Sequence, residues 1–176
     1  MKTVSIIGSP RKGGNCDTLV KEITSKIDGE KNTYFLQDLN INYCQGCQKC
    51  QNGDCVRNDD INKIMDNLID ADLLIFSSPI YYGQITAQAK TFIDRFYQIS
   101  QNPNKSLGGK KVINIYTQAN PGDSFDSYIN SLNMMPFGYM GMEVIDTIIS
   151  RGNMGKGDSE QLKPAIDQIN QIVKKL

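Results

Sequence analysis

The sequence predicts a doubly wound α/β fold, a three-layer sandwich around a five-stranded parallel sheet of order 2-1-3-4-5. Three observations predict it. Short apolar runs alternate with apolar stripes at helical spacing, in a strand–helix order repeated five times. Strands that alternate with helices pair in parallel, with helices packed on both faces. The first run stops at a glycine-bearing turn directly before a helix, as the first βα turn of such sheets does. A length of 176 residues holds five such units in one domain.

The elements follow in order. Lys2–Ile7 is an apolar run stopped by Gly8, the mark of a buried parallel strand. Leu19, Val20, Ile23 and Ile27 come next at helical spacing, and Lys31 to Leu36 reads as a weaker second strand. Residues Gln37 to Asp59 are polar and cysteine-bearing and predict a structured loop. A loop of about twenty residues in a compact domain is usually functional. Ile61, Ile64, Met65, Leu68 and Ile69 form a helical stripe, with Asp59 or Asp60 as N-cap. Leu73 to Ser78 is a strand ending at Pro79, and Ala87 to Ile99 reads as helix. Lys110 to Thr117 is a strand, followed by a Gly/Pro loop and a helix near Ser124 to Met134. Met142 to Ile149 is the fifth strand, and Ser150 to Asp158 a loop with three glycines. Leu162, Ile166, Ile169, Val173 and Leu176 line the final helix. With no repeat and no linker, a single domain over 1–176 is expected, with the cysteine-rich loop 37–59 inside it.

Composition excludes several chemistries. Nineteen Lys and Arg balance nineteen Asp and Glu, so charge gives no reason to expect nucleic acid or an anionic membrane as partner. Histidine is absent, which removes the Ser-His triad, Cys-His nucleophiles and His-ligated zinc or haem. The N-terminal apolar run is too short for a signal peptide, and no stretch has the length of a membrane span. A cytoplasmic chain is expected. There the five cysteines serve metal or redox roles rather than disulfides.

Two loops carry binding chemistry and a third is placed to join them. The first reads Gly8-Ser9-Pro10-Arg11-Lys12-Gly13-Gly14-Asn15-Cys16-Asp17-Thr18 between strand and helix. Free N–H groups and the dipole at a helix N-terminus favour an anion, and adjacent glycines let the backbone close around it. Ser9, Asn15 and Thr18 add hydrogen bonds, and Arg11 adds a fork of donors. Neither the dinucleotide nor the P-loop signature is present, and an ordinary glycine-rich turn is the plain alternative. The second loop, Ser77-Ser78-Pro79-Ile80-Tyr81-Tyr82-Gly83-Gln84-Ile85, faces the first across the switch point. Tyr81 and Tyr82 offer flat faces to a planar ligand, or else serve as core or interface residues. The third loop begins at Thr117-Gln118-Ala119.

Gly-Ser-Pro-Arg-Lys-Gly-Gly-Asn after the first strand resembles the FMN-phosphate loop of the NADPH-dependent FMN reductase family, which has a flavodoxin-like fold. The resemblance implies that Ser9, Arg11, Gly14, Asn15, Cys16 and Thr18 hold the phosphate. Cys16 stands where the family usually has a Thr, and a thiol is a weak donor, so that contact passes to Thr18 and the backbone. Ser78-Pro79-Ile80-Tyr81-Tyr82-Gly83 resembles the family segment that wraps the isoalloxazine ring. By that resemblance Pro79, Ile80, Tyr81, Tyr82 and Gly83 contact the flavin; Thr117, Gln118 and Ala119 are expected as a third surface from their position, after the strand that neighbours strand three. Gly141-Met142-Glu143-Val144, Gly152 and Gly155-Lys156-Gly157-Asp158 again look like the family's C-terminal third.

Cys44, Cys47, Cys50 and Cys55 give the spacing Cys-x2-Cys-x2-Cys-x4-Cys. Such spacings in series wrap corners of a cubane cluster. The pattern resembles the compact motif of the iron-sulfur flavoproteins, a branch of the same family in which four cysteines hold one [4Fe–4S] cluster near the flavin. Thiols packed as small apolar residues, zinc held by four thiolates and a redox disulfide remain open alternatives.

The expected function is that of an FMN-dependent oxidoreductase. Electrons come from NAD(P)H or a reduced ferredoxin-like carrier and pass through FMN, with or without the cluster. The acceptor is a quinone, flavin, nitro or azo compound, or a protein. A flavin carries the redox chemistry itself, so the missing imidazole is no handicap and no residue is assigned an acid or base role. A homodimer or homotetramer is expected, with the long loop placed to bring one subunit's cysteines near another's flavin. A flavodoxin-like shuttle without turnover and a non-redox nucleotide or phosphate binder are the rival readings. The neutral charge speaks against the shuttle, because classical flavodoxins are acidic.

Overall fold

The structure, a computed structural model, describes every residue except Asp158, and no side chain at Ser159. Among the described residues six strands and six α-helices follow in the order β1 (Lys2–Ile7), α1 (Asn15–Thr24), β2 (Glu30–Phe35), α2 (Asp60–Ile69), β3 (Leu73–Tyr81), β4 (Gln84–Ile85), α3 (Ala87–Asp94), α4 (Tyr97–Ser100), β5 (Lys111–Thr117), α5 (Asp126–Leu132), β6 (Glu143–Ser150) and α6 (Ser159–Val173). The sheet runs β2-β1-β3-β5-β6, all parallel, with β4 antiparallel to β3. Counting the parallel strands alone, this is the expected 2-1-3-4-5 order, with the switch point between β1 and β3.

Burial explains the pattern of the runs. Along β1, β3 and β5 successive side chains enter opposite cores. Val4, Ile6, Leu74, Phe76, Val112 and Tyr116 pack with the apolar stripes of α2, α3 and α5. Ile7, Leu73, Ile75, Ile113 and Ile115 pack with those of α1 and α6. Strands buried on both faces lose polar/apolar alternation, which is why they read as continuous apolar runs. Asp59 accepts from the Ile61 N–H and caps α2. Thr86 accepts from the Ala89 N–H and caps α3.

Three boundaries differ from the sequence expectation. β3 does not end at Pro79 but runs to Tyr81, because the chain folds back there and pairs with β4, Ile80 opposite Ile85. Proline lacks a donor, and here it sits near the end of the ladder with β5, where little pairing is lost. The helix expected over Ala87 to Ile99 breaks after Asp94, and Arg95, its C-cap, is only 1% exposed. The second strand is Glu30–Phe35, with Leu36 already in a 3₁₀ turn. Among the described residues no helix is long and apolar enough to cross a membrane.

Candidate functional site

The C-terminal ends of β1, β3 and β5 open into one cleft of about 690 Å³, counting the solvent at its mouth. Ser9, Arg11, Gly14, Asn15 and Cys16 line it from the first loop, Pro79, Ile80 and Tyr81 from the second, and Thr117, Gln118 and Ala119 from the third. This is where an open parallel sheet binds ligands. Asn153, Met154, Gly155 and Lys156 close it from the segment after β6.

The first loop is built around Asp17. Its Oδ2 accepts from the Gly13 N–H at 2.7 Å and from Lys21 Nζ at 2.9 Å. That holds Gly13 at φ +63°, a conformation that costs glycine little. The Gly14 N–H donates to the Arg11 carbonyl at 3.1 Å, and a Cβ on Gly14 would stand 2.9 Å from that oxygen. Ser9 Oγ accepts from the Arg11 N–H. No side chain caps α1, so its first-turn N–H groups are presented to the cleft with the positive end of the helix dipole. Arg11 lines the same end. Lys156 Nζ lies 3.6 Å from where a Cβ on Gly13 would sit, which adds a second cation.

Asn15 and Cys16 are placed differently from their expected roles. The Asn15 amide donates to the Gly155 carbonyl at 3.1 Å, and its Oδ1 accepts from the Gly157 N–H at 2.8 Å. Asn15 therefore fastens the segment after β6 over the first loop. The Cys16 thiol is buried and lies 3.4 Å from Thr117 Oγ1. Burial pushes it up to about 12, with the Thr117 contact opposing. The neutral thiol adds no negative charge beside an anion, and the backbone N–H is what this residue offers.

Thr18, Tyr82 and Gly83 do not line the cleft. The Thr18 N–H donates to the Gly14 carbonyl inside α1. Tyr82 (φ +48°) and Gly83 (φ +81°) form the turn between β3 and β4, and the Tyr82 side chain is wholly exposed. The second loop is stitched to the first, and the third is held on itself and on the end of β6. The Gly8 N–H donates to the Ser77 carbonyl at 2.8 Å, and Thr86 Oγ1 donates to the Gly8 carbonyl at 2.6 Å. The Gln118 N–H donates to the Ser150 carbonyl, and its Nε2 holds the Asn120 and Gly122 carbonyls at 3.1 and 2.8 Å. Its buried Oε1 has no partner among the described residues, an unsatisfied acceptor on a residue that lines the cleft.

Sequence reasoning noted the glycines after Ser150 but assigned no site residue there. The only signal was the glycine spacing, because the hydrogen bonds that fold this segment over the first loop come from Asn15, 140 residues away. Asp158 lies outside the described residues.

Cys44, Cys47, Cys50 and Cys55 line a second, smaller cavity together with Arg95, Tyr97 and Gln98. The Cys50 thiol is raised by burial and by the neighbouring Cys55, Cys44 and Cys47. Arg95 Nη2 donates to Cys55 Sγ at 3.5 Å. Among the described residues no group of three Cys, Asp or Glu side chains is drawn together as a metal site. All four are free thiols.

The first cleft fits a phosphate ester joined to a planar ring. It has an uncapped helix N-terminus with two cations at one end, and Pro79, Ile80, Tyr81 and the unpartnered Gln118 acceptor elsewhere. The second cavity has the donor type and number of an iron-sulfur cluster, four thiols on one void beside a buried cation, though among the described residues the sulfurs are not drawn together as a metal site.

The model of the NADPH-dependent FMN reductase family matches residues 1–152. An iron-sulfur flavoprotein of Archaeoglobus fulgidus is 33% identical over 148 residues, 79% of this chain and 67% of that protein. The chain spans about half the length of three further archaeal iron-sulfur flavoproteins that it matches. A Bacillus subtilis protein named as an NAD(P)H-dependent FMN-containing oxidoreductase is 28% identical, over 99% of this chain and 98% of its own. In fold, the chain is similar to an FMN-dependent NADH-azoreductase of Bacillus anthracis solved with FMN, with a TM-score of 0.74 and 14% identity over 99% of each chain.

Proposed function

The chain belongs to the NADPH-dependent FMN reductase family, and from that premise we propose that it binds FMN in the three-loop cleft and moves electrons from NAD(P)H to a small-molecule or protein acceptor. The observation that carries this reading is the uncapped start of α1, flanked by Arg11 and Lys156, at one end of a cleft walled by Pro79, Ile80 and Tyr81. When bound, FMN supplies hydride acceptance and one- or two-electron release.

The chain's own residues orient and hold. The N–H groups of Asn15, Cys16 and Asp17, with Ser9 and Arg11, take the phosphate. Asn15 holds Gly155 and Gly157 across it and narrows the path of water. Pro79, Ile80 and Tyr81 wall the ring. Gln118 Oε1 accepts a ring N–H, and Thr117 and Ala119 complete that side. The acceptor is a quinone, a flavin, a nitro or azo compound or a protein, and the name of the azoreductase of similar fold speaks for an azo compound. The reading takes residues 1–176 as one FMN-binding domain and residues 37–59 as its cysteine-bearing insertion.

Cys44, Cys47, Cys50 and Cys55 are the residues that would hold a [4Fe–4S] cluster. The names of the archaeal relatives and the shared cavity support this, and two or four copies of the chain would place one subunit's cysteines near another's flavin.

Anaerobic purification, followed by visible spectroscopy and assays of NADH and NADPH oxidation with a quinone, tests the proposal. Flavin bands with turnover are expected, together with a broad shoulder bleached by dithionite that disappears in Cys47→Ala. Flavin bands without turnover would favour a shuttle. A preparation that stays colourless and unloaded after incubation with FMN would overturn the reading.

A further inference from the structure

Arg95 is a fully buried cation that the flavin cleft does not use. It stands where the helix expected over 87–99 breaks, and its guanidinium reaches across to the cysteine insertion. Nη1 donates to Asp59 Oδ2 at 2.7 Å and to the Asn42 carbonyl at 3.0 Å. Nη2 donates to Asn62 Oδ1 at 2.9 Å and to Cys55 Sγ at 3.5 Å. Asn42 stands just before Cys44 and Asp59 just after Cys55, so one side chain grips both ends of the insertion. Asp59 closes the same ring by accepting from the Asn42 N–H at 3.0 Å. Asn62, held by Arg95, donates in turn to the Arg57 carbonyl at 2.5 Å.

The chemistry is specific to arginine. A guanidinium spreads its donors over separate nitrogens of one rigid plane and stays charged when buried, whereas an ammonium has all its donors on one nitrogen and loses its charge readily when buried. A buried ion pair this enclosed costs desolvation and is weak evidence for stability, and apolar side chains would fill the same space without that cost. What the charge adds is a donor on a sulfur. Hydrogen bonds and positive charge at ligating sulfurs raise cluster potentials, and partners behind the ligands fix their orientation.

We propose that Arg95 is the positioning residue of the cysteine site: it ties Asn42 to Asp59 and gives the Cys55 sulfur a charged donor. The second half rests on the cluster reading above, and the first does not.

The test compares the FMN-loaded wild type with Arg95→Gln, Arg95→Lys and the neutral pair Asp59→Asn/Arg95→Gln, which removes both buried charges together. Without metal, hydrogen exchange over residues 42–58 and trypsin cleavage at Lys49 and Arg57 are followed. Arg95→Gln is expected to speed both at least tenfold while exchange in β1 and β3 stays unchanged. Arg95→Lys is expected to fail to restore protection, because an ammonium lacks the fork. The neutral pair shows whether any loosening follows from an uncompensated Asp59. Unchanged exchange and cleavage in both Gln variants would overturn the tie. After anaerobic reconstitution, the cluster midpoint potential is measured by EPR-monitored titration. It is expected to fall in Arg95→Gln and to be partly recovered in Arg95→Lys, with the flavin potential unmoved. An unmoved cluster potential in Arg95→Gln would overturn the sulfur donor. A wild type that takes up no iron or sulfide would overturn the cluster reading and with it the sulfur-donor half, while the exchange arm still decides the tie.

Discussion

Asn15 and Gly157 are joined by a 2.8 Å hydrogen bond from the glycine N–H to the asparagine Oδ1, and the same amide donates to Gly155. One side chain at the first position of α1 thus holds a segment 140 residues further on and brings Lys156 to the anion end of the cleft. Asn15→Ala removes both bonds. A typical intramolecular hydrogen bond contributes about 1 kcal/mol, so FMN affinity is expected to fall about tenfold to thirtyfold. The melting temperature of the apo chain should move little, because both bonds are exposed. Fluorescence titration of the apo chain with FMN measures the first effect, and a thermal melt the second.

Gly8 carries the contact between loops. A Cβ there would stand 2.7 Å from the Ala89 Cβ and 3.0 Å from the Ser77 carbonyl. α3 would have to retreat, and with it Thr86, which donates to the Gly8 carbonyl. Gly8→Ala is expected to lower stability by about 1–3 kcal/mol, the usual cost of overpacking, and to weaken FMN binding as well. Pairing it with Ala89→Gly removes the nearer clash and should return part of the loss in urea unfolding. A Gly8→Ala chain as stable as wild type would show that this packing is not tight.

The parallel sheet was legible because burial on both faces writes itself as uninterrupted apolar runs, as at Leu73–Phe76. The first loop was legible because Gly13 and Gly14 mark a special backbone next to a helix start. What stayed hidden depends on distant partners. Asn15 looked like a phosphate ligand, yet its amide is engaged with Gly155 and Gly157. Arg95 sat inside an apparently continuous helical stripe, and its buried partners Asp59 and Asn62 lie more than thirty residues earlier. Tyr82 follows Tyr81 in sequence, but a tight turn sends the two in different directions.

The buried Cys16 thiol makes stability depend on alkaline pH. An unfolded thiol ionises near 9, whereas burial holds the folded one up to about 12. Below pH 9 both states keep the proton and nothing is lost. Between pH 9 and 12 the unfolded chain releases a proton that the folded chain retains, so stability falls by at most about 1.4 kcal/mol per pH unit. Cys16→Ser removes this titration. The loss of unfolding free energy between pH 8.5 and 10.5, measured in urea, is expected to be smaller in the variant than in the wild type. Equal losses would mean that the thiol is not held neutral. Alkylation at pH 7.5 should label the exposed Cys47 readily and leave Cys16 untouched.

Tyr82 supplies the last prediction, because it separates the family expectation from the geometry. Residues 82 and 83 both have positive φ, the conformation of a two-residue hairpin turn that favours Asn-Gly. A tyrosine there bears a steric cost of about 1 kcal/mol, and its fully exposed ring buries nothing to offset it. Tyr82→Asn should therefore raise stability by about 0.5–1 kcal/mol, a gain of roughly 1–4 °C for a chain of this size. FMN affinity should stay within twofold of wild type, because the side chain lies outside the cleft. Tyr81→Ala, by contrast, removes a ring that lines the cleft and should weaken FMN binding about tenfold. A Tyr82→Asn chain that loses FMN as Tyr81→Ala does would mean that the turn closes over the bound ring.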